Sequence, residues 1–156
     1  RGKTACFTGH RKIPPESIPE LSQRLKNTLL RLIEEGYMYF GAGGALGFDT
    51  LAAQCVLSLK KADPHIKLIL VTAVITQTKG WSKDDIAVYE EIKSQADKVV
   101  YTSHDYFQGC MFKRNRHLVN GSSVCIAYLT QEKGGTAYTV NYARQSNVQV
   151  INLAAQ

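Results

Sequence analysis

Three glycine-containing clusters, each following a short apolar run, carry the residues best suited to chemistry. They are Gly9-His10-Arg11, the segment 40–50 with the sequence FGAGGALGFDT, and the segment 133–136 with the sequence KGGT. Glycine lets a backbone come close to a ligand, and the first N–H groups of a helix have no partner within it and attract anions. The clusters therefore predict backbone amides that bind phosphate or carboxylate groups.

Segment 40–50 ends a strand-like run and precedes an amphipathic helix that begins near Asp49. The carboxylate of Asp49 can cap that helix or accept a hydrogen bond from a ribose hydroxyl. A glycine-rich turn can also be no more than a tight connection, but two similar clusters elsewhere in the chain favour a ligand site. The candidate ligand-binding residues here are Gly43, Gly44, Ala45, Gly47 and Asp49.

The first and third clusters add side chains that suit an anionic ligand. Arg11 offers a planar, bidentate guanidinium, and the imidazole of His10 titrates near neutral pH. Arg11 can alternatively cap a carbonyl or pair with an acid. Thr136 can donate to a phosphate or cap the helix that starts beside it. The candidates from these two clusters are Gly9, His10, Arg11, Gly134, Gly135 and Thr136.

Two further segments supply candidates. Segment 73–81 follows a strand, so Gln77 can read a base edge and Trp81 can stack on a base, although partial burial is the commoner role of a single Trp. Segment 105–121 mixes aromatic and cationic residues, as is typical where bases stack and phosphates are neutralised. Its alternative is a helix whose charges face water. From this segment we select Arg114 and Asn115.

The segments that position these residues alternate between two hydrophobic patterns, one typical of buried strands and one typical of amphipathic helices. Apolar runs at 4–8, 37–41, 67–72, 98–102, 124–129 and 148–153 predict six strands, with amphipathic helices between them. This alternation predicts an α/β fold: a Rossmann-like, doubly wound, mostly parallel sheet with helices on both faces, in one domain over residues 1–156. Open sheets of this kind bind ligands at the carboxyl ends of their strands.

Composition limits the class of protein. A hydrophobic content of 44% and a charged content of 21% are typical of a globular domain. No apolar run approaches the roughly 20 residues that cross a bilayer, and the first residues lack the apolar core of a signal peptide, so we expect a cytoplasmic protein without membrane contact. The four cysteines lack metal-ligand spacing and are interpreted as buried apolar residues, so no metal is expected.

Five stretches together resemble the YpsA-like branch of the SMF/DprA-LOG superfamily, called SLOG. The resemblance covers essentially the whole chain and implies a Rossmann-like fold with a pocket for nucleotides or their derivatives. It implies no reaction, so catalytic residues and any cofactor stay unassigned, and a homodimer is expected from family analogy alone. The stretches are Thr8 to Arg11, the run GGALGFDTLAAQ from Gly43, Gln77 with Trp81, Lys113 to Arg116, and Gly134 to Thr136.

Two better-understood members of the superfamily imply different functions. Gly9-His10-Arg11 resembles the GSR motif of the DNA-processing protein DprA, and Arg114-Asn115-Arg116 matches its RNR motif; DprA binds single-stranded DNA. The segment 133–136 resembles part of the PGGxGTxxE motif of the LOG enzymes, which cleave N-glycosidic bonds of cytokinin ribotides. The glutamate of that motif is Thr139 here, which argues against hydrolysis of the LOG type.

Two other departures from the YpsA-like pattern concern the candidate site. Ala73-Val74 stands where the pattern has Pro-Phe, which is expected to loosen the lip around Gln77 and Trp81. Lys12 stands where the pattern has proline, which adds a cation beside the expected phosphate site.

The sequence thus predicts a protein that binds a nucleotide or a nucleotide-derived small molecule, such as an ADP-ribose-like ligand. Two alternatives stay open. One is a hydrolase of N-glycosidic or phosphate-ester bonds. The other is a binder of single-stranded nucleic acid, which ranks last because a net charge of +6 is only mildly basic.

Overall fold

Six short strands form one parallel sheet in the computed structural model, which describes residues 1–154. Positions 155 and 156, the end of the domain predicted over 1–156, lie outside the described residues. Neighbouring strands follow the order β4-β3-β2-β1-β5-β6, and all five pairings are parallel. The strands are β1 (Thr4–Gly9), β2 (Tyr39–Ala42), β3 (Lys67–Thr72), β4 (Lys98–Tyr101), β5 (Val124–Tyr128) and β6 (Gln149–Asn152).

A helix connects each strand to the next, which confirms the predicted Rossmann-like fold. From β1 the chain winds outward through β2, β3 and β4, and then returns to place β5 on the other side of β1. The strand order therefore reverses between β1 and β5, the point where open α/β sheets form a crevice. The helices are α1 (Ile18–Glu34), α2 (Phe48–Ala62), α3 (Lys83–Gln95), α4 (Cys110–Asn120) and α5 (Gly135–Gln145), and a short 3-10 turn (Pro15–Ser17) precedes α1.

Side chains that alternate along the strands pack into two cores, one on each face of the sheet. Phe7 and Ile126 lie in the larger core with the apolar residues of α1 and α2. Cys6 and Cys125, which are paired across β1 and β5, lie in the smaller core with Leu118 of α4 and residues of α5. Successive residues of a strand point to opposite faces, so both faces of this sheet are covered.

The start of β2 differs from its prediction. The sequence predicts a strand from position 37, whereas β2 begins at Tyr39. The reason lies at the end of α1, where the N–H of Tyr37 donates to the carbonyl of Leu32 at 2.9 Å and the N–H of Gly36 donates to that of Ile33 at 3.0 Å. Gly36 has φ of 101°, so these bonds form a Schellman motif, which uses the residue that follows the glycine to close the helix.

Among residues 1–154, no helix combines the length and apolar character that crossing a membrane requires.

Three of the four cysteines are buried, as predicted, and Cys55 is half-buried. The hydroxyl of Ser82 accepts from the N–H of Asp85 at 3.1 Å and caps α3.

Gly47 joins the turn after β2 to the turn after β1. The N–H of Phe48 donates to the carbonyl of His10 at 3.1 Å, which draws the two backbones together. A Cβ atom at Gly47 would lie 2.2 Å from the carbonyl oxygen of Arg11, and Gly47 has φ of 77°. Both the close approach and the positive φ require glycine at this position.

We predict that Gly47→Ala destabilises the protein more than Gly80→Ala. Gly80 also has a positive φ, 86°, but a Cβ there would meet nothing within 4 Å. The control should lose only the roughly 1–2 kcal/mol of a left-handed alanine, whereas Gly47→Ala should lose about 1–3 kcal/mol more, because the Arg11 backbone must move. Urea unfolding measures both variants, and equal losses would contradict the packing argument.

Candidate functional site

The three glycine-containing clusters line one cleft at the carboxyl ends of β1, β2 and β5. The cleft encloses about 620 Å³ and spans the point where the strand order reverses. Helix positions explain the convergence, since α2 and α5 both begin at this edge of the sheet. The sequence-predicted residues that line the cleft are Gly9, His10, Arg11, Ala45, Asp49, Arg114, Asn115, Gly134, Gly135 and Thr136.

The remaining candidates lie elsewhere. Gly43 and Gly44 are buried behind the cleft wall. A Cβ at Gly43 would lie 2.7 Å from the Arg114 guanidinium, and one at Gly44 would lie 3.0 Å from Gln77. These two glycines therefore make room for side chains of the protein itself.

Six lining residues were not among the sequence candidates. Lys12, Tyr106 and Lys133 belong to segments that the sequence marks as cationic or aromatic. Their position next to the candidate residues could have identified them as lining residues. Thr8 belongs to the stretch Thr8 to Arg11 and Met111 to segment 105–121, whereas Gln131 carries no pattern that distinguishes it. The full set is Thr8, Lys12, Tyr106, Met111, Gln131 and Lys133.

The charge of the cleft is strongly one-sided. Four cationic residues line it, namely Arg11, Lys12, Arg114 and Lys133, whereas Asp49 supplies the one carboxylate among the described residues that line it. A cleft lined by one sign of charge concentrates ligands of the opposite sign. This arrangement favours an anionic ligand.

Asp49 is buried at the floor of the cleft, with 5% of its surface exposed. Its Oδ2 accepts from the N–H of Ala45 at 3.2 Å, but its Oδ1 has no hydrogen-bond partner among the described residues. The carboxylate does not cap α2, whose N-cap residue is Gly47 without a side-chain bond. An unpaired buried oxygen is costly, so Oδ1 is suited to accept from a donor that enters the cleft.

Burial raises the pKa of Asp49 to about 6, against the opposing attraction of Arg114. The Ala45 N–H and the Arg11 guanidinium also oppose the rise. A carboxyl group with this pKa changes charge just below neutral pH.

Arg114 is buried, which the sequence did not predict for a residue in such a cationic segment. Its Nη1 donates to the carbonyl of Gly43, and its Nε donates to Oδ1 of Asn115 at 2.7 Å. Burial lowers the pKa of the guanidinium and the carboxylate of Asp49 raises it. The side chain therefore holds the turn after β2 in place and sets the electrostatic environment of Asp49.

A chain of hydrogen bonds runs from Arg114 to the third cluster. Nδ2 of Asn115 donates to the hydroxyl of Thr139 at 3.0 Å, and that hydroxyl donates to the carbonyl of Gly135 at 2.9 Å. Arg114, Asn115 and Thr139 thus link the Gly43 turn to the start of α5. We call these three residues the relay. Thr139, which replaces the glutamate of the LOG motif, is part of it.

His10 and Arg11 differ in whether their side chains are already bonded within the protein. The N–H of Thr130 donates to Nε2 of His10 at 2.8 Å, so this ring is neutral with its proton on Nδ1. Burial also lowers the pKa of His10. Arg11 is exposed, and its guanidinium makes no hydrogen bond or ion pair to any group within residues 1–154. Arg11 is therefore free to bind a ligand.

The start of α5 presents unpaired backbone N–H groups to the cleft. The N-cap residue Gly134 has φ of 107°, and no side chain of residues 1–154 caps the helix, so Thr136 does not act as its cap. The first N–H groups of a helix lack partners within it and carry the positive end of the helix dipole. With Lys133 beside them, these amides suit an anion.

Gln77 and Trp81 line an adjoining cleft of about 460 Å³, which shares Arg11, Tyr106 and Met111 with the first. The amide of Gln77 accepts from the N–H of Ala73 at 2.8 Å and donates to the carbonyl of Gly43 at 3.1 Å. It therefore braces the two turns. Trp81 is half-buried and packs edge-on against Tyr89, with ring centres 5.7 Å apart.

The lip that carries these residues is well packed. Ala73 and Val74 are both buried and contact Cys110, with Met111 beside them. At the positions where the YpsA-like pattern has Pro-Phe, the two smaller residues thus pack against the start of α4.

The exposed side of α4 bears aromatic and cationic residues. Phe112 contacts Tyr138 with ring centres 4.6 Å apart, and Arg116 donates to the hydroxyl of Tyr138 at 3.0 Å. Lys113 lies 5.9 Å from the ring centre of Phe107. We call these five residues the α4 surface.

A parallel sheet with a glycine-lined cleft at its strand-order reversal defines a Rossmann-like α/β protein. The sequence model of the YspA SLOG family matches residues 10–153, so the chain belongs to that family. This confirms the resemblance derived from the five sequence stretches.

Two similar proteins come from bacteria of the genera Bacillus and Brevibacillus. The chain is 33% identical over 140 residues to the uncharacterised SPbeta prophage-derived protein YoqJ of Bacillus subtilis, covering 79% of this chain and 82% of YoqJ. It is 29% identical over 118 residues to a UPF0398 protein of Brevibacillus brevis, covering 74% of this chain and 63% of the relative.

One solved structure supports the fold. DNA processing protein A from Helicobacter pylori, described for its single-stranded DNA binding mode, superposes with a TM-score of 0.67 at 19% identity. The match covers 94% of this chain and 63% of that protein. At this identity the likeness concerns the fold.

We predict that Asp49 makes the protein less stable as pH rises. Because its pKa is raised from 3.8 to about 6, the folded state keeps the proton where the unfolded state has lost it. The stability from this proton is present below about pH 4 and is lost as pH rises through about 6. Asp49→Asn removes the effect, so wild type should lose roughly 2–3 kcal/mol relative to this variant between pH 4 and 7.

Urea unfolding at several pH values measures the difference. Asp97→Asn is the control. Desolvation by burial acts to raise the pKa of Asp97, but hydrogen bonds from Lys60 and the Leu68 N–H outweigh it and lower this pKa. Wild type should therefore lose stability relative to Asp97→Asn as pH falls, the opposite direction. A constant difference between wild type and Asp49→Asn would contradict the prediction.

Proposed function

We propose that this protein binds a nucleotide or a nucleotide-derived small molecule in the cleft. The observation that carries the proposal is the unpaired Oδ1 of Asp49, buried at the floor of an otherwise cationic cleft. A ribose hydroxyl is a neutral donor that would satisfy this oxygen while the rest of the ligand stays anionic. A ligand that is only an anion would leave the oxygen without a donor.

The phosphate end of the ligand binds at the start of α5. The backbone amides of Gly135 and Thr136 face the cleft beside Lys133, and helix N-termini with such amides bind phosphate. Arg11 adds a guanidinium that no group within residues 1–154 occupies, and guanidinium groups bind phosphate through two parallel hydrogen bonds. Membership of the SLOG family supports a ligand of this class.

Isothermal titration against nucleoside mono- and diphosphates and ADP-ribose tests the proposal. At least one ligand should bind, and Arg11→Ala should weaken it about tenfold or more, because a charge-assisted hydrogen bond is lost. Arg144→Ala is the matched control, since Arg144 is exposed on α5 and outside the cleft. It should leave the affinity unchanged.

Two results would contradict the proposal. One is the absence of heat with every nucleotide of the panel at millimolar concentration. The other is binding that Arg11→Ala and Arg144→Ala weaken equally, which would indicate nonspecific attraction to a cationic protein.

Single-stranded nucleic acid is a second candidate ligand, favoured by the α4 surface. Aromatic rings that stack on bases and cations that neutralise phosphates are the usual components of such sites. Phe112 and Phe107 are 40% and 44% exposed, and Lys113 is exposed beside them. The structural likeness to the Helicobacter pylori protein, which is described as binding single-stranded DNA, points the same way.

Fluorescence anisotropy of a labelled oligonucleotide, measured over a salt series, tests this candidate. Affinity should fall as salt rises, and the double variant Lys113→Ala with Arg116→Ala should reduce the slope by about 1.4, since each phosphate contact on a single strand contributes roughly 0.7. Arg144→Ala again serves as control. Affinity that is independent of salt, or unchanged in the double variant, would reject it.

A further inference from the structure

The two clefts adjoin and differ chemically at their far sides. Both are lined by Arg11, Tyr106 and Met111, so they meet at these three residues. The residues that start α5 line the first cleft, and Trp81 lines the second. A ligand that passes beside the three shared residues would reach both sides.

The strand order puts the parts of the site in a line. The start of α5 follows β5, Arg11 follows β1, Asp49 follows β2, and the segment with Trp81 follows β3. These strands are neighbours in the order β3-β2-β1-β5. Three strand spacings separate the two ends, which is roughly 14 Å.

The second cleft suits a planar aromatic ring. Trp81, the one tryptophan of the chain, lines it with Tyr106 and the flexible, polarisable Met111. The amide of Gln77 is bonded at both its oxygen and its nitrogen to the backbone, so Trp81 and Tyr106 are left to contact a base. Thr76 and Lys79 also line this cleft. No carboxylate lines this cleft among the described residues, so an electron-rich base meets no repulsion there.

Asp49 and Arg11 lie between the two ends and fit the middle of such a ligand. Asp49 follows β2, the strand next to the base end, and its buried Oδ1 has no hydrogen-bond partner among the described residues. Arg11 lies where the clefts meet, between Asp49 and the start of α5. The order of groups along the sheet edge is thus aromatic, hydroxyl acceptor, guanidinium and backbone amides.

We propose that the ligand is a nucleoside diphosphate, or an ester of one, with its base against Trp81 and its outer phosphate at the start of α5. The ribose then donates to Asp49 and the pyrophosphate passes over Arg11. A nucleoside monophosphate has one phosphate directly on the ribose and is too short to engage both ends. This inference rests on the proposed nucleotide binding and adds the ligand's length and direction.

Titration calorimetry with AMP, ADP and inorganic pyrophosphate tests the inference. ADP should bind at least tenfold more tightly than AMP. Trp81→Ala should weaken ADP about tenfold, as expected for a lost stacking contact, and should leave pyrophosphate binding unchanged. Trp81→Phe, which keeps an aromatic ring, should retain most of the affinity, and thermal melting followed by circular dichroism reports whether both variants fold.

The single tryptophan supplies an independent readout in the unmodified protein. ADP should change its fluorescence, and pyrophosphate, which reaches only the far end of the site, should not. Two results would overturn this inference while nucleotide binding stands. One is equal affinity for AMP and ADP. The other is tight ADP binding that does not change the tryptophan fluorescence and is not weakened in Trp81→Ala. Absence of binding by all three compounds would overturn nucleotide binding, and this inference with it.

Discussion

The buried guanidinium of Arg114 is the interaction on which the architecture of the site depends. A buried charge must be compensated by hydrogen bonds and an opposite charge, and here the carbonyl of Gly43, the amide of Asn115 and the nearby carboxylate of Asp49 do this. The same contacts hold the turn after β2. Through Asn115 and Thr139 they reach the first residue of α5, so two segments distant in sequence keep a fixed separation across the cleft.

This constraint explains why some residues of the site support the cleft from behind while others are left to bind a ligand. Arg114 and Gln77 occupy the space beside Gly43 and Gly44, so the second glycine cluster supports the cleft from behind. Anion recognition is left to the exposed groups, namely Arg11 and the amides at the start of α5. Asp49, placed next to Arg114, keeps one oxygen without a partner in the described part of the chain. Among the described residues, the cleft thus offers one carboxylate among several cations, which matches a ligand that carries hydroxyl groups as well as phosphates.

The fold was predictable because buried parallel strands are continuous apolar runs, and each run is followed by a helical pattern. The convergence of Arg11, Asp49 and Thr136 also followed, since carboxyl ends of parallel strands share one edge. The burial of Arg114 was not predictable, because a cation in the run KRNR looks like part of a solvated face until the space left by Gly43 is known. The bracing role of Gln77 likewise depends on a contact 34 residues distant in sequence.

The most direct test of the central claim, a cleft that binds nucleotide along the sheet edge, is a ¹H–¹⁵N correlation spectrum recorded during titration with ADP. The largest shifts should occur at the amides of Gly135 and Thr136 and at the indole N–H of Trp81. The amides of Gly43 and Gly44, held behind the wall, should move less. Shifts confined to the α4 surface, or a spectrum that ADP leaves unchanged, would contradict the account.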